Sequence, residues 1–504
     1  MVRLIENWLR SAVNETVDKA LTRLLRDQYT ESLAEMLPSL QKVGSVPFVE
    51  LLMRAGKGAP VPRPLGSPLR LSPWDQLLFN PVHLCRFPTP ESVPVATSVT
   101  IGPRARRPLT VAIPVLIAAM SFGGALSKRA KIALARAATA VGTATNTGEA
   151  GLLAEERAAA RLLIGQYNRG GWLNAPEKYR QLDAIEIQLG QGAQGSTSQR
   201  TSAKKIGPDF RRAFGLREGE DAVIHARLPG VNSREDFIQL VRRLRAETGV
   251  PVGLKIAATH HLERELAVAL EAGVDFVTVD GAEGGTHGGA PTLQDDLGLP
   301  TLYAVARARD YLARQRATGD VSLIAAGGLI TPGRMLKAMA LGADAVYIGT
   351  AAVIALISDQ AVEALPFEPP TSMVIYDGKL TDQLDEGRAA RSLQRFLNAC
   401  VTEMEQVAAS LGRTALADVG KSDLCALDPV LARATGVQLG LTAPDQQYRL
   451  FPEITDREHP DPQLPLRRHP DSPDPGSRHP GGPLQATPPR AASPAQGDPP
   501  QPVH

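Results

Sequence analysis

Eight short apolar runs alternate with longer segments of helical spacing between residues 110 and 352. Near-continuous apolar runs are typical of parallel strands buried on both faces, and the segments between them are typical of covering helices. Eight such units match a (β/α)8 TIM barrel. A doubly wound sheet is the alternative, but the GxGxxG turn that would open it is missing. The predicted strands are 111–120, 142–148, 184–190, 222–228, 252–258, 276–282, 322–328 and 345–351.

The 504 residues leave room for additions on both sides of a barrel. The first 25 residues space their apolar side chains as a helix, and acidic residues on the polar face favour packing on protein over a membrane surface. Residues 451–504 contain 15 of the 41 prolines and almost nothing apolar. We predict an N-terminal helical extension (1–79), a barrel with a C-terminal helical segment (80–440) and a disordered Pro-rich tail (451–504).

Composition excludes several classes of partner. A net charge of +2 is too small to indicate the strongly basic surface that binds nucleic acid. No apolar stretch approaches the roughly 20 residues that span a membrane. Cys85, Cys400 and Cys425 are too few and too scattered for a disulfide framework, and no His, Asp or Glu spacing indicates a metal site. We therefore predict a cytoplasmic protein with no nucleic-acid, membrane or metal partner.

Polar residues and glycines cluster where the predicted strands end. In a TIM barrel the active site lies at these carboxyl ends, so the repetition of position predicts a site there. Single loop glycines would only indicate turns. The clusters are 121–124, 146–149, 191–194, 280–289, 327–328 and 349–350.

The most informative pair of clusters is Gly327-Gly328 and Gly349-Thr350, after the last two predicted strands. In barrels the loops at these two places bind phosphate through backbone N–H groups and a helix N-terminus, and glycine lets the backbone approach the anion. A phosphate-bearing cofactor or substrate is predicted. Two tight turns without a ligand are the alternative.

Lys255 is a lysine within an otherwise apolar strand, VGLKIAA (252–258). Its side chain points into the barrel mouth or reaches solvent, and a structural ion pair is the alternative to a role in binding. If the phosphate-bearing ligand is FMN, a cation near the flavin would stabilise the anionic reduced form.

Seven motifs in order resemble the FMN-binding synthase domain of glutamate synthase. The resemblance covers about residues 80–440 and is closer to short stand-alone members of the family than to the large multidomain enzyme. The motifs are AMSFGGALS (119–127), TNTGEAG (145–151), IEIQLGQGAQ (185–194), VGLKIAA (252–258), VDGAEGGTHGGAP (279–291), AAGGL (325–329) and YIGTA (347–351).

The resemblance implies that FMN is the cofactor. Met120 and Ser121 would line its ring system, Gln191 and Lys255 would contact flavin or substrate, and the two glycine-containing pairs would hold the phosphate. The candidate cofactor-binding residues are Met120, Ser121, Asn146, Gln191, Lys255, Asp280, Gly327, Gly328, Gly349 and Thr350.

The implied reaction is the reductive amination of a 2-oxo acid, in the family 2-oxoglutarate to L-glutamate. Ammonia adds to the oxo acid, and reduced FMN transfers a hydride to the resulting imine. The candidate catalytic residues are Lys255, Gln191, His287 and Glu283. His287 stands where relatives carry a small residue, so it is either a proton donor or a histidine held by loop hydrogen bonds.

One departure from the family concerns the substrate. Gln194 occupies the position of a family lysine, so a cation that would pair with the oxo acid is missing. Gln194, Gln199 and Arg200 are the candidate substrate-binding residues. This departure keeps open an N-alkylglutamate synthase, another flavin TIM-barrel oxidoreductase, or a non-catalytic flavin-binding protein.

Two further departures concern partners. The resemblance places cluster-binding cysteines after the last barrel strand, but residues 349–370 contain none, so no 3Fe–4S cluster is expected. Electrons would then come from a soluble donor or a docked reductase. The first 80 residues lack a nucleophilic cysteine, so free ammonia, an amine or an amidotransferase subunit would supply nitrogen. We also expect a homo-oligomer.

Overall fold

The structure is a computed structural model that describes residues 14–24, 26 and 36–442. Residues 14–24 are helical, as predicted, but residues 14–23 are exposed, so the expected packing of this helix on protein is not seen. The rest of the first 25 residues and the predicted tail lie outside the described residues. None of the described helices is both long and apolar enough to cross a membrane.

Eight parallel strands form one sheet that curves into a nearly closed barrel, which confirms the TIM-barrel prediction. In sheet order, strand 1 is followed by strands 8, 7, 6, 5, 4, 3 and 2. Strands 1 and 2 are joined by a hydrogen bond from Ile117 N to Ala144 O of 3.0 Å. The barrel strands in chain order are Val115–Ile117, Thr145–Asn146, Leu163–Tyr167, Ala184–Gln188, Val252–Ala257, Phe276–Asp280, Ser322–Ala326 and Ala345–Ile348.

One predicted barrel strand is wrong. Ala222–Ile224, within the predicted strand 222–228, pairs antiparallel with Gln199–Thr201 outside the barrel. The third barrel strand is instead Leu163–Tyr167, whose five residues are all buried. Gly165 and Gln166 interrupt its apolar run, which hides the strand in the sequence. Gly165 is required there because a Cβ atom would collide with the side chain of Leu182.

Helices cover the barrel between its strands, as predicted. Five of them begin with side-chain caps; for example, Ser127 accepts a hydrogen bond from Ala130 N, and Ser233 forms a capping box with Asp236. The helices from the first barrel strand onward are Lys128–Val141, Ala154–Ala159, Pro176–Tyr179, Pro208–Phe214, Arg234–Thr248, Leu262–Ala272, Pro291–Asp295, Thr301–Arg314, Pro332–Ala340, Thr350–Ile357, Ala361–Ala364, Glu386–Ser410 and Pro429–Thr435.

Segments before and after the barrel join in a second small sheet. Leu77–Phe79 pairs antiparallel with Leu424–Ala426, which pairs in turn with Gln438–Leu439. The long helix Glu386–Ser410 packs on Lys128–Val141. The N-terminal segment contributes the helices Met36–Val43 and Ser45–Lys57, and a further hairpin consists of Val99–Ile101 and Leu109–Val111. The predicted domain limits stay a prediction.

Lys131 is a fully buried cation beneath the barrel mouth. It lies 2.9 Å from Glu156 Oε1 in an ion pair whose side chains are both buried. Its Nζ also donates to the backbone carbonyls of Met120 (2.6 Å) and Asn146 (2.9 Å). The lysine therefore connects the segments that follow the first and second barrel strands.

Replacing Lys131 with methionine is expected to lower the free energy of unfolding by about 3–5 kcal/mol, because Glu156 is left buried without its cation. Burial already raises the pKa of Glu156, against the opposing effect of Lys131. Guanidinium unfolding measures the loss. The matched control is the double variant Lys131→Met with Glu156→Leu, which we expect to recover most of it. A single variant as stable as the wild type would contradict this role.

Candidate active site

A cavity of about 570 Å³ opens at the carboxyl ends of the barrel strands. Its volume lies within the range of small-molecule sites. The sequence-predicted residues meet in its wall, with the exceptions of Asn146 and Arg200. The predicted residues that line it are Met120, Ser121, Gln191, Gln194, Gln199, Lys255, Asp280, Glu283, His287, Gly327, Gly328, Gly349 and Thr350.

The structure places Asn146 and Arg200 outside the cavity wall. Asn146 is fully buried, and its Nδ2 donates to Glu186 Oε1 (3.0 Å) and to the Tyr347 hydroxyl (3.1 Å). Arg200 is on the surface, with 73% of its side chain exposed, in an ion pair with Asp221 at 2.5 Å. The Asp221 carboxylate therefore already neutralises Arg200 away from the cavity.

The N-terminal segment 62–76, here called the strap, lies across one side of the cavity and lines it. Arg63 N donates to Gly289 O and Leu65 N to Thr286 O, which ties the strap to the loop after the sixth barrel strand. Thr350 Oγ1 donates to Leu65 O at 3.2 Å. No sequence signal pointed to the strap, because the contacts that tie it to the barrel are with residues distant in the chain.

Two glycine-containing turns form one end of the cavity. Gly327 and Gly328 have φ of +110° and +66°, the left-handed region that favours glycine. Gly349 immediately precedes the helix Thr350–Ile357. Among the described residues, no backbone carbonyl accepts from the N–H groups of Gly327, Gly328, Gly349 or Thr350. Unpaired N–H groups at a helix N-terminus and an adjacent turn make an anion site.

Two arginines that sequence reasoning missed also line the cavity. Arg334 Nη1 lies 3.4 Å from Gly328 O, which places this cation beside the glycine turns. Arg70 belongs to the strap. In the described part of the chain neither guanidinium has a carboxylate within 4.0 Å, so both are available to an anion. Arg334 stands in the TPGR sequence that opens the helix Pro332–Ala340 after the seventh strand.

Lys255 points into the barrel and is buried. Its Nζ lies 3.1 Å from Asp280 Oδ2 in an ion pair with 3% and 7% of the side chains exposed. Burial by itself would lower the pKa of Lys255, but the carboxylates of Asp280, Glu186 and Glu149 raise it above its ordinary value. The lysine is therefore charged at neutral pH. The sequence left open a role in binding or a structural ion pair, and Lys255 both lines the cavity and is ion-paired.

Below the cavity a buried carboxylate organises the barrel interior. Glu186 accepts hydrogen bonds from Gln166 Nε2 (2.8 Å), Thr278 Oγ1 (2.7 Å) and Asn146 Nδ2 (3.0 Å). Burial and the nearby Glu186 raise the pKa of Tyr347 well above its ordinary value. Tyr347 therefore stays protonated beside the cavity.

Glu283 and His287 each present one buried polar atom without a hydrogen-bond partner among the described residues. Glu283 Oε2 accepts from Thr301 N (2.8 Å) and Thr301 Oγ1 (2.7 Å), so this oxygen caps a helix, while Oε1 is unpaired. His287 Nδ1 is likewise unpaired. Burial lowers the pKa of His287, and repulsion by Lys205 lowers it further. The Asp377 carboxylate acts in the opposite direction but does not outweigh burial. The imidazole is therefore neutral at pH 7.

A row of neutral amides and hydroxyls lines another part of the wall. Gln191 Nε2 donates to Gln194 Oε1 (3.1 Å), and Gln194 Nε2 donates to Thr286 Oγ1 (2.5 Å). Gln199 lies on the short hairpin opposite Ile224. These groups can orient a polar ligand but carry no charge.

Aromatic side chains form an apolar wall of the same cavity. Trp172, Phe210 and Phe214 line it, with ring centroids 4.6 Å apart for Trp172 and Phe214 and 4.0 Å apart for the two phenylalanines. Sequence reasoning missed this wall. Its members lie in the long excursion after the fourth strand and near the third, and only the fold brings them together.

Comparison with known proteins identifies the relatives of this chain. The family model "Conserved region in glutamate synthase" matches residues 90–414. A glutamate synthase large subunit-like protein from Rhizobium meliloti is 31% identical over 79% of this chain and 94% of the relative. An archaeal-type glutamate synthase [NADPH] from Thermotoga maritima is 34% identical, and the match covers 61% of each protein.

Among solved structures, a mutant of flavocytochrome b2 aligns with a TM-score of 0.47 and 16% identity, over 79% of this chain and 85% of that chain. The barrel and the cavity at its strand ends define the class, a TIM-barrel protein with a site of small-molecule size. Within that class the chain belongs to the glutamate synthase family, which confirms the resemblance carried by the seven motifs.

We expect the half-buried His287 to make stability depend on pH. Its folded pKa lies below the unfolded value of about 6.5, so the unfolded chain binds more protons as pH falls through this value. Between pH 7.5 and 5 the wild type should therefore lose more stability than the variant His287→Gln. Urea unfolding at each pH measures this difference. Parallel stability curves for the two proteins would contradict the lowered pKa of the imidazole.

Proposed function

We propose that this protein is an FMN-dependent oxidoreductase that reduces the imine formed from a 2-oxo acid and ammonia or an amine. One observation carries the proposal: a single cavity joins the unpaired backbone N–H groups of Gly327, Gly328 and Gly349 to the buried cation Lys255. An anion site at one end and a cation beneath the other suit a phosphorylated redox ring system. Membership of the glutamate synthase family supports this assignment.

The residues present fit FMN. The phosphate would accept from the glycine N–H groups and pair with Arg334 and Arg70, which lack carboxylate partners among the described residues. Gly349 leaves room for it, because a Cβ atom there would meet only the Ala118 Cβ, at 3.7 Å. The ring system would lie against Met120, Ser121 and Lys255 at the other end. When bound, FMN supplies a hydride donor and acceptor.

Each polar residue then has a definite task. Lys255 stays charged through its carboxylate partners and stabilises negative charge that develops on the ring. Gln191 and Gln199 orient the substrate with neutral donors, and Gln194 supports Gln191. A neutral His287 can donate a proton to the substrate only after it has itself been protonated. We therefore assign it a hydrogen bond to the substrate through its unpaired Nδ1. Glu283 has one free oxygen, Oε1, that can accept from a substrate N–H group.

The partners remain proposals from the sequence. We propose a soluble electron donor or a reductase, and free ammonia, an amine or an amidotransferase subunit as nitrogen source. The archaeal-type relatives carry NADPH in their names, and this chain spans about 61% of their length. A homo-oligomer and the lack of a 3Fe–4S cluster are likewise proposed. Asn146, which sequence reasoning assigned to the cofactor, is proposed instead to position Glu186 and Tyr347.

The cofactor assignment predicts that Gly349→Leu weakens FMN binding by at least about tenfold, because the side chain projects into the space of the phosphate. Fluorescence quenching of FMN by the apoprotein gives the dissociation constants. Gly56→Leu is the matched control, since no atom lies within 4 Å of a Cβ atom at this exposed helical position, which is not part of the cavity lining. Equal affinities of both variants and the wild type would place the phosphate elsewhere.

The reaction is tested by anaerobic reoxidation of the reduced holoenzyme. We expect a 2-oxo acid and ammonia or an amine together to reoxidise the flavin, and neither component to do so alone. Chromatography of the products identifies the amino acid. Reoxidation by the oxo acid alone would indicate a different oxidoreductase, and a stable flavin complex that no pair reoxidises would indicate a flavin-binding protein without this activity.

A further inference from the structure

The proposed function does not use one apolar part of the cavity wall. Trp172, Ile224 and Ile375 are partly exposed there, and Phe210 and Phe214 support them from a buried cluster, with 1% and 4% of these two residues exposed. We propose that this surface, here called the apolar compartment, binds an aryl or branched alkyl substituent of the imine, so that the preferred substrate pair carries such a group instead of a second carboxylate. This inference rests on the proposed function.

The apolar compartment lies next to the place proposed for the flavin ring. Phe122 and Phe210 pack with ring centroids 6.2 Å apart, and a Cβ atom on Gly123 would come within 2.7 Å of the Phe210 ring. The turn that contains Met120 and Ser121 therefore rests on the aromatic cluster. An imine carbon over the ring would have its substituent within reach of these side chains.

Charge argues against a second substrate carboxylate in the apolar compartment. The cations that line the cavity are Lys255, Arg70 and Arg334. Lys255 is already paired with Asp280, and Arg334 is beside Gly328 at the anion end. Burying a carboxylate without a cation is costly, and the phenylalanine and isoleucine side chains offer it no hydrogen-bond donors.

The strap that carries the exposed Arg70 contacts the anion side of the cavity. Thr350 donates to Leu65 O, and Leu302 N donates to Ser72 Oγ at 3.2 Å, next to Thr301, whose Oγ1 donates to Gly327 O. Arg70 and Arg334 are thus proposed to serve the phosphate, which leaves neutral donors for the substrate. These suffice to orient the one carboxylate that every 2-oxo acid carries.

The hairpin of Gln199–Thr201 and Ala222–Ile224 contributes both an amide and an apolar side chain to the cavity wall. Gln199 and Ile224 are direct cross-strand partners, and both line the cavity. Gln199 can orient the carboxylate while Ile224 contacts the apolar group. Val223, between Ala222 and Ile224, is on the opposite face of the strand and does not line the cavity.

The apolar group can be on the carbon or on the nitrogen of the imine. In either case the oxo acid and the amine condense with loss of water, and the C=N bond then takes up a hydride from the reduced cofactor and a proton, giving the amine and oxidised flavin. The apolar compartment recognises the hydrophobic group itself. Two substrate pairs distinguish whether the oxo acid or the amine carries the apolar group: phenylpyruvate with ammonia, and pyruvate with benzylamine.

The test uses FMN-loaded enzyme reduced with one equivalent of dithionite under anaerobic conditions. We expect reoxidation by at least one phenyl-bearing pair to have a kcat/KM on the order of tenfold or more above that of 2-oxoglutarate with ammonia, since an apolar pocket discriminates by this much per buried group. A preference for 2-oxoglutarate would overturn the inference.

A binding measurement separates failure of this inference from failure of the proposed function. Phenylacetate and glutarate are titrated into oxidised holoenzyme, and the shift in flavin absorbance reports binding. Tighter binding of phenylacetate without turnover of any pair would support the apolar compartment and reject the proposed reaction. Tighter binding of glutarate would reject the apolar compartment whatever the reaction.

A charge-introducing variant tests the location. Ile224→Lys places a cation in the apolar compartment, so the ratio of kcat/KM for the phenyl-bearing pair to that for 2-oxoglutarate should fall at least about tenfold. Val223→Lys is the matched control on the same strand and should leave this ratio unchanged. If Ile224→Lys loses flavin, Gln194→Lys at the neighbouring amide row serves instead, with the same expected direction. An unchanged ratio in the variant that retains flavin would overturn the inference.

Discussion

The charge that the cavity offers to a ligand depends on the ion pairs buried in the barrel. Each deeply buried cation at this end of the barrel has its own carboxylate: Lys255 pairs with Asp280 and Arg169 with Glu149, whose guanidinium and carboxylate lie 3.0 Å apart. Such pairs are tolerated only because the desolvation of each ion is offset by its partner and by further hydrogen bonds. They leave no spare buried cation for the substrate, so a ligand's charge must be met elsewhere.

A negative charge on the ligand can be bound at the end of the cavity formed by the glycine-containing turns. Gly327 and Gly328 adopt left-handed backbone conformations, and the adjoining N–H groups have no backbone acceptor among the described residues. Arg334 adds positive charge, and no carboxylate of the described residues lies within 4.0 Å of it. The cavity is thus polarised, with an anion site at one end and neutral amides and aromatic rings at the other. A molecule with a phosphate on one side and an uncharged ring on the other matches this division.

Much of this arrangement could be predicted from local sequence. Buried parallel strands, their glycine-rich ends and Lys255 all leave short-range patterns, and the strand ends meet because the topology is that of a barrel. The strand Leu163–Tyr167 was missed because Gly165 and Gln166 break its apolar pattern. The strap and the aromatic wall were missed for a different reason, since their roles arise from contacts between distant segments. Arg200 was chosen by its chemistry, but its exposed ion pair with Asp221 removes it from the cavity.

A crystal structure of the FMN complex tests the central claim most directly. The account predicts phosphate oxygens within about 2.7–3.2 Å of the backbone nitrogens of Gly327, Gly328 or Gly349, with the ring system between Met120 and Lys255. The aromatic wall should then remain uncovered beside the ring. A phosphate bound away from these glycines, or a ring system that occupies the aromatic wall, would contradict the account.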